Sequence, residues 1–143
     1  MTYTIDEEMA TADVAIRIKA KDLDELFLDG ATAVAEQSAD PKTVKKVIEK
    51  EIKLKNTDIE QLFFDFIEQL IFIKDKEAMV FNSFDILTKE LKDGFHIICK
   101  VHGDAINQET QTLHTDVKAI TMHLFEVEEQ DDESWKALFI LDI

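Results

Sequence analysis

The chain has 143 residues, 45% of them hydrophobic, with 31 acidic against 16 basic side chains and a formal net charge of -15. That length and apolar content predict one domain, spanning residues 1–143, with a real core, and they exclude a disordered acidic tail. The charge opposes a phosphate-driven grip on nucleic acid and fits a basic protein partner, a bound cation or simple solubility; the single Cys99 excludes an internal disulfide framework and a cysteine zinc motif.

In chain order, "DVAIRIKA" alternates Val14, Ile16 and Ile18 with Ala15, Arg17 and Lys19, the period of a strand with one wet face. A helix follows at once. Asp22 with Glu25 three residues on is an N-terminal capping signal, and Leu23, Leu26, Phe27, Ala31, Val34 and Ala35 share one face until "SADP", with Gly30 marking close packing. "VKKVIEKEIKLK", from Val44, has the β-branched content of a strand. Thr57 and Glu60 predict a capping box for a second helix, whose stripe of Ile59, Leu62, Phe63, Phe66, Ile67, Leu70 and Ile71 runs to about Ile73.

Four strands are expected after it, around "VFNSFDIL", "FHIICKVHG" beyond the Lys92-Asp93-Gly94 turn, "TDVKAITMHLFEV", and the terminal "SWKALFILDI". The fold class is therefore α+β: a mixed β-sheet with two helices packed mainly on one face. With no signal-like N-terminus and no apolar run of about 18 residues, the expected location is the cytoplasm, without membrane attachment.

The polar residues carry less chemistry than their number suggests. His96 and His102, six apart, share a strand face, whereas His114 and His123 fall on opposite faces; neither pair has metal-helix spacing, and exposed or hydrogen-bonded structural roles suit all four. No nucleophile-elbow glycines surround Ser38, Ser83 or Ser134, Cys99 reads as a core thiol, and no glycine-rich phosphate loop exists. Asp13, at the entry of a strand, fits either an Asx-turn acid or a ligand, and Lys118 either a solvated strand lysine or a site residue. Asp142 and the carboxylate of Ile143 are two negative groups at one strand end. With Asp13 they form an oxygen-only donor set, suited to Ca²⁺, Mg²⁺ or Mn²⁺ if the first and last strands meet.

The order "TADV", capped helix, "VKAIT" with a following histidine, and final "LDI" resembles the archease family over essentially the whole chain. "VKAITMH" with the closing "DI" is its specific part. The resemblance implies a small acidic α+β accessory protein, not itself an enzyme, that uses a divalent metal to stimulate guanylylation and turnover of an RtcB-type RNA ligase in tRNA splicing or RNA repair. It implies Asp13, Asp142 and the Ile143 carboxylate as metal ligands, with Lys118 as a functional residue beside them. Where the family pattern has two histidines this chain has Ala10 and Gln111, and Met122 replaces a tyrosine. A chaperone-like adaptor for a nucleic-acid-processing enzyme, such as an RNA ligase or tRNA methyltransferase, is the alternative; a free-standing metal hydrolase lacks an evident base.

Overall fold

A computed structural model describes residues 2–5 and 13–143. Along these the elements are β1 (Thr2–Ile5), β2 (Asp13–Ala20), α1 (Leu23–Ser38), a 3-10 turn (Pro41–Thr43), β3 (Ile48–Asn56), α2 (Ile59–Lys76), β4 (Met79–Leu91), β5 (Gly94–Ala105), β6 (Ala119–Glu129) and β7 (Trp135–Asp142). The class is α+β, and the described strands divide between two sheets ordered β1-β2-β7-β6 and β3-β5-β4. Every pairing is antiparallel. The chain achieves this without a parallel ladder because α2 carries it from β3 to β4, which run the same way, and the hairpin strand β5 then inserts between them.

The helices begin where short acids supply acceptors for otherwise unpaired N–H groups. Asp22 Oδ1 accepts from Glu25 N at 2.9 Å while Glu25 Oε2 accepts from Lys21 N at 2.9 Å, reciprocal capping at the start of α1. The backbone donor at Lys21 also holds the Glu25 carboxyl below its usual range. For α2 the expected Thr57 box is not formed: Asp58 is the N-cap, its Oδ1 accepting from Glu60 N at 3.0 Å, and Glu60 Oε2 instead accepts from Val127 N at 3.1 Å. Aspartate caps as well as threonine does, and the tie to β6 uses the carboxylate that a box would have consumed. Two strands are shorter than their sequence patterns. Residues 44–47 lie ahead of β3, and 115–118 ahead of β6.

Both sheets turn one face to the helices. Ile16, Ile18, Ala137, Phe139 and Leu141 from one sheet and Ile52, Ile97, Cys99 and Val101 from the other join Phe27, Phe63 and Phe66 in a single buried cluster. Phe27 meets Phe63 and Phe66 edge-on with centroids at 5.2 and 5.3 Å, and Phe63 meets Phe139 at 5.5 Å, the geometry the ring quadrupoles favour. Gly30 lets this happen. A Cβ there would lie 2.7 Å from Phe63 Cζ, and Phe63 is fully buried with no open side to move into.

Gly30→Ala weighs two effects of opposite sign. Alanine gains about 1 kcal/mol of helix propensity, but overpacking a filled core costs about 1–3 kcal/mol. The expected outcome in urea unfolding is a net loss of about 1 kcal/mol; a stabilised variant would show that the α1–α2 contact has slack.

Candidate functional site

β2 and β7 pair antiparallel from Ala20↔Trp135 to Asp13↔Asp142, so the first residue of one strand stands directly opposite the last of the other. β6 continues the row, with Ala119 opposite Asp142 on the other side of β7. Cross-strand partners share a face. Asp13 and Asp142 therefore lie on the side of Ala15, Leu138 and Ile140, a small buried cluster, and opposite the core-facing Ile16, Phe139 and Leu141. Both acids are half-buried. Directly opposed strand residues have Cα atoms roughly 4.5–5.5 Å apart, and like charges placed so repel by a few tenths to about 1 kcal/mol. That repulsion is relieved when a cation is shared.

The strand end is also held firmly. Ile143 packs its side chain against the main core, and Asp142 O accepts from Lys118 N at 2.8 Å, which fixes the backbone of Lys118 beside the acid pair while its side chain stays exposed. Asp13, Asp142, Ile143 and the backbone of Lys118 are thus brought to one end of the strands of the four-stranded sheet. Among the described residues no group of three or more His, Cys, Asp or Glu side chains converges as a metal cage. Ala10, with the Thr11-Ala12 part of "TADV", lies outside the described residues.

The segment leading to Lys118 is bound to the end of α1. Asp40 N donates to Thr112 O at 2.8 Å, His114 N to Ser38 O at 3.0 Å, and Thr115 N and Oγ1 both to Gln37 O at 3.0 and 2.9 Å. Gln111 is buried; its Nε2 donates to Ala105 O at 2.9 Å and its Oε1 accepts from Asn107 N at 2.9 Å, closing the preceding loop. Lys74 was not anticipated. It is 5% exposed, and its Nζ contacts Asp75 Oδ1 at 2.7 Å and Asp116 Oδ1 at 3.0 Å, tying α2 to the same segment two residues before Lys118. Burial opposes the Lys74 charge, but the two carboxylates outweigh it and hold the ammonium above its ordinary pKa. The signal was present in the sequence: Lys74 lies four residues past Leu70 and continues the apolar stripe.

The histidines fall elsewhere. His96 and His102 share the outer face of the three-stranded sheet, hydrogen-bonded to Asp93 at 2.7 Å and Asp85 at 2.9 Å, bonds that hold both carboxyls below their usual range. His114 and His123 are exposed. Cys99 is buried, and burial pushes its thiol up to about 12, so it packs and does not react.

Against known proteins, the model of the Archease protein family (MTH1598/TM1083) matches residues 4–143. Proteins called archease from Pyrococcus furiosus and Methanothermobacter thermautotrophicus are each 32% identical over 134 and 133 residues, covering 93% of this chain and 94% of each relative. The solution structure of Methanobacterium thermoautotrophicum protein 1598 superposes with a TM-score of 0.84 at 29% identity, covering 99% of this chain and 98% of that one. The crystal structure of an archease from Thermotoga maritima, described as a possible chaperone, shares the fold at TM-score 0.61 and 20% identity, covering 94% and 93%.

The Lys74 cluster separates two kinds of loss. Lys74→Met removes a buried charge and lets Asp75 and Asp116, 57% and 71% exposed, return to water, for an expected cost of about 1 kcal/mol or less. Removing both acids in Asp75→Ala/Asp116→Ala strands the ammonium, at an expected cost of about 3 kcal/mol in denaturant titration. Because the folded pKa of Lys74 is raised, the contribution of its ammonium is complete at pH 7 and is lost as pH rises through that raised value. Equal losses in the two variants would contradict this assignment.

Proposed function

We propose, for a chain that belongs to the archease family, that it acts as a single-domain accessory protein in the cytoplasm, holding a divalent cation at Asp13, Asp142 and the carboxylate of Ile143 and stimulating an RtcB-type RNA ligase. The observation that supports the cation reading is the Asp13↔Asp142 pairing, which places two carboxylates from opposite ends of the sequence side by side. The donor set fits the ion. Oxygen ligands suit Ca²⁺, Mg²⁺ or Mn²⁺, and Mg²⁺ in particular is commonly held by one or two carboxylates, with waters and substrate phosphates filling the other positions. Two acids and a terminal carboxylate on an accessible rim match that partial shell better than a closed cage.

Bound there, a divalent ion would supply charge neutralisation for phosphate oxygens during guanylylation of the ligase. The chain's own residues do the positioning. Asp13 and Asp142 set the ion's place on the rim, and Lys118, pinned through its N–H to Asp142 O, carries an exposed side chain that is available to a phosphate or an acidic group of the ligase. The net charge of -15 favours steering toward a basic ligase surface. No helix of the described residues is long and apolar enough to cross a membrane.

A chaperone-like adaptor role without metal chemistry is the second reading. It is favoured by Gln111, which stands where the family pattern has a histidine and is here consumed in closing a loop. Chelation distinguishes the two, since an adaptor keeps its effect in EDTA.

Asp13→Asn and Asp142→Asn are expected to gain up to about 1 kcal/mol of stability in EDTA, because each removes one of two opposed like charges. Each should lose the thermal shift that Mn²⁺ gives the wild type and should fail to stimulate multiple-turnover ligation. Full stimulation by both variants would remove the metal role; stimulation by the wild type undiminished in EDTA would favour the adaptor.

A further inference from the structure

The formal charge of -15 is unevenly spread, and one sheet face runs against it. On the side of the β3-β5-β4 sheet away from the helices, successive cross-strand rows read Glu51, Lys100, Asp85; then Lys53, Ile98, Leu87; then Lys55, His96, Lys89. Leu91 follows on the same side, two residues beyond Lys89. The half toward the β4–β5 turn thus has an aliphatic centre, with Ile98, Leu87 and Leu91 39%, 48% and 52% exposed, edged by Lys53, Lys55 and Lys89. Part of it is a shallow depression of about 470 Å³ lined by Leu54, Leu91, Ile98 and these lysines.

Two of the lysines have acidic neighbours, Lys53 with Glu51 at 3.4 Å and Lys55 with Asp93 at 3.7 Å. Both pairs are solvent-exposed, and such pairs are worth little and exchange readily for a partner's carboxylates. Lys89 makes no ion pair among the described residues. An apolar centre with a charged rim is the anatomy of a protein-binding patch. Single-stranded nucleic acid would instead want aromatic platforms for stacking, and apart from His96 these rows hold none, since Phe84 and Phe95 pack toward the core.

We infer that this face docks an acidic amphipathic segment of a partner protein, its aliphatic side chains over Ile98, Leu87 and Leu91 and its carboxylates against Lys53, Lys55 and Lys89. The surface lies on the other sheet from the Asp13–Asp142 rim and is independent of the cation reading. It gives this acidic protein a second electrostatic handle of opposite sign. In the next row Glu51 and Asp85 flank Lys100, and the two carboxylates, in excess over that single lysine, repel those of the segment and limit the footprint to the half near the turn.

The test uses the full chain, isotope-labelled, titrated with a synthetic helical peptide carrying leucines at i, i+3, i+4 and i+7 and glutamates elsewhere. The same peptide with lysines for glutamates and an oligouridine strand serve as controls. Amide shifts confined to residues 53–55, 87–91 and 96–98 with the acidic peptide are expected. Affinity should weaken about tenfold or more in Lys53→Glu/Lys89→Glu, with unchanged melting and unchanged Mn²⁺ response. Leu87→Ser should weaken it while leaving the salt dependence in place. Shifts on this face with oligouridine but not with the acidic peptide would make it a nucleic-acid surface, and no shifts there with either, or equal binding of the lysine peptide, would likewise overturn the proposal.

Discussion

The pairing of β2 with β7 is the constraint on which the rest of the site depends. Eight residue pairs, from Ala20↔Trp135 to Asp13↔Asp142, fix a register that a one-residue slip would break, sending either Ile16 and Ile18 of β2 or Phe139 and Leu141 of β7 out of the core. The hydrophobic energy that resists that slip is far larger than the repulsion between two carboxylates, so the core dictates that the acids face one another. The juxtaposition of the two acids is a by-product of burial. Asp13 and Asp142 are placed by side chains on the opposite face of the same strands.

Lys118 is held by a similar borrowing. Its N–H pairs with Asp142 O, Val117 before it is fully buried, and Asp116 before that reaches the buried ammonium of Lys74. With Thr115 and His114 bonded to the last turn of α1, every residue from 114 to 118 has either a backbone bond, a buried side chain or an ion pair. The approach to the site is therefore a braced segment between two helices, which is why it extends the β6 pattern in sequence without being paired as strand.

Much of this was legible in advance because period-2 and period-3.6 patterns report local burial directly. β2, β5, β7 and both helices lie where alternation and the apolar stripes put them, and the α+β class follows. What pattern could not carry was partnership between distant segments. β1 is four residues of "TYTI", too short to show a period, and is a strand because β2 offers it an edge. The split into two antiparallel sheets depends on where β5 inserts. Asp58 displaced Thr57 as a cap because Glu60 had a better use for its carboxylate on β6, and Gln111 is buried by a loop that no local signal outlines. Net charge likewise carries no information on distribution, since a sum over the chain does not show the lysines gathered on one sheet face.

The proposed cation site at the two strand ends is the claim on which the functional account rests, and paramagnetic broadening by Mn²⁺ in the labelled full chain reads it directly. Substoichiometric Mn²⁺ is expected to broaden first the amides around Asp13, Lys118, Ala119, Asp142 and Ile143, leaving Glu49, Glu51, Asp85 and the acidic β6–β7 turn sharp. Broadening that begins at those other acids, or that spreads evenly over the acidic surface, would contradict a cation site at the meeting of β2 and β7.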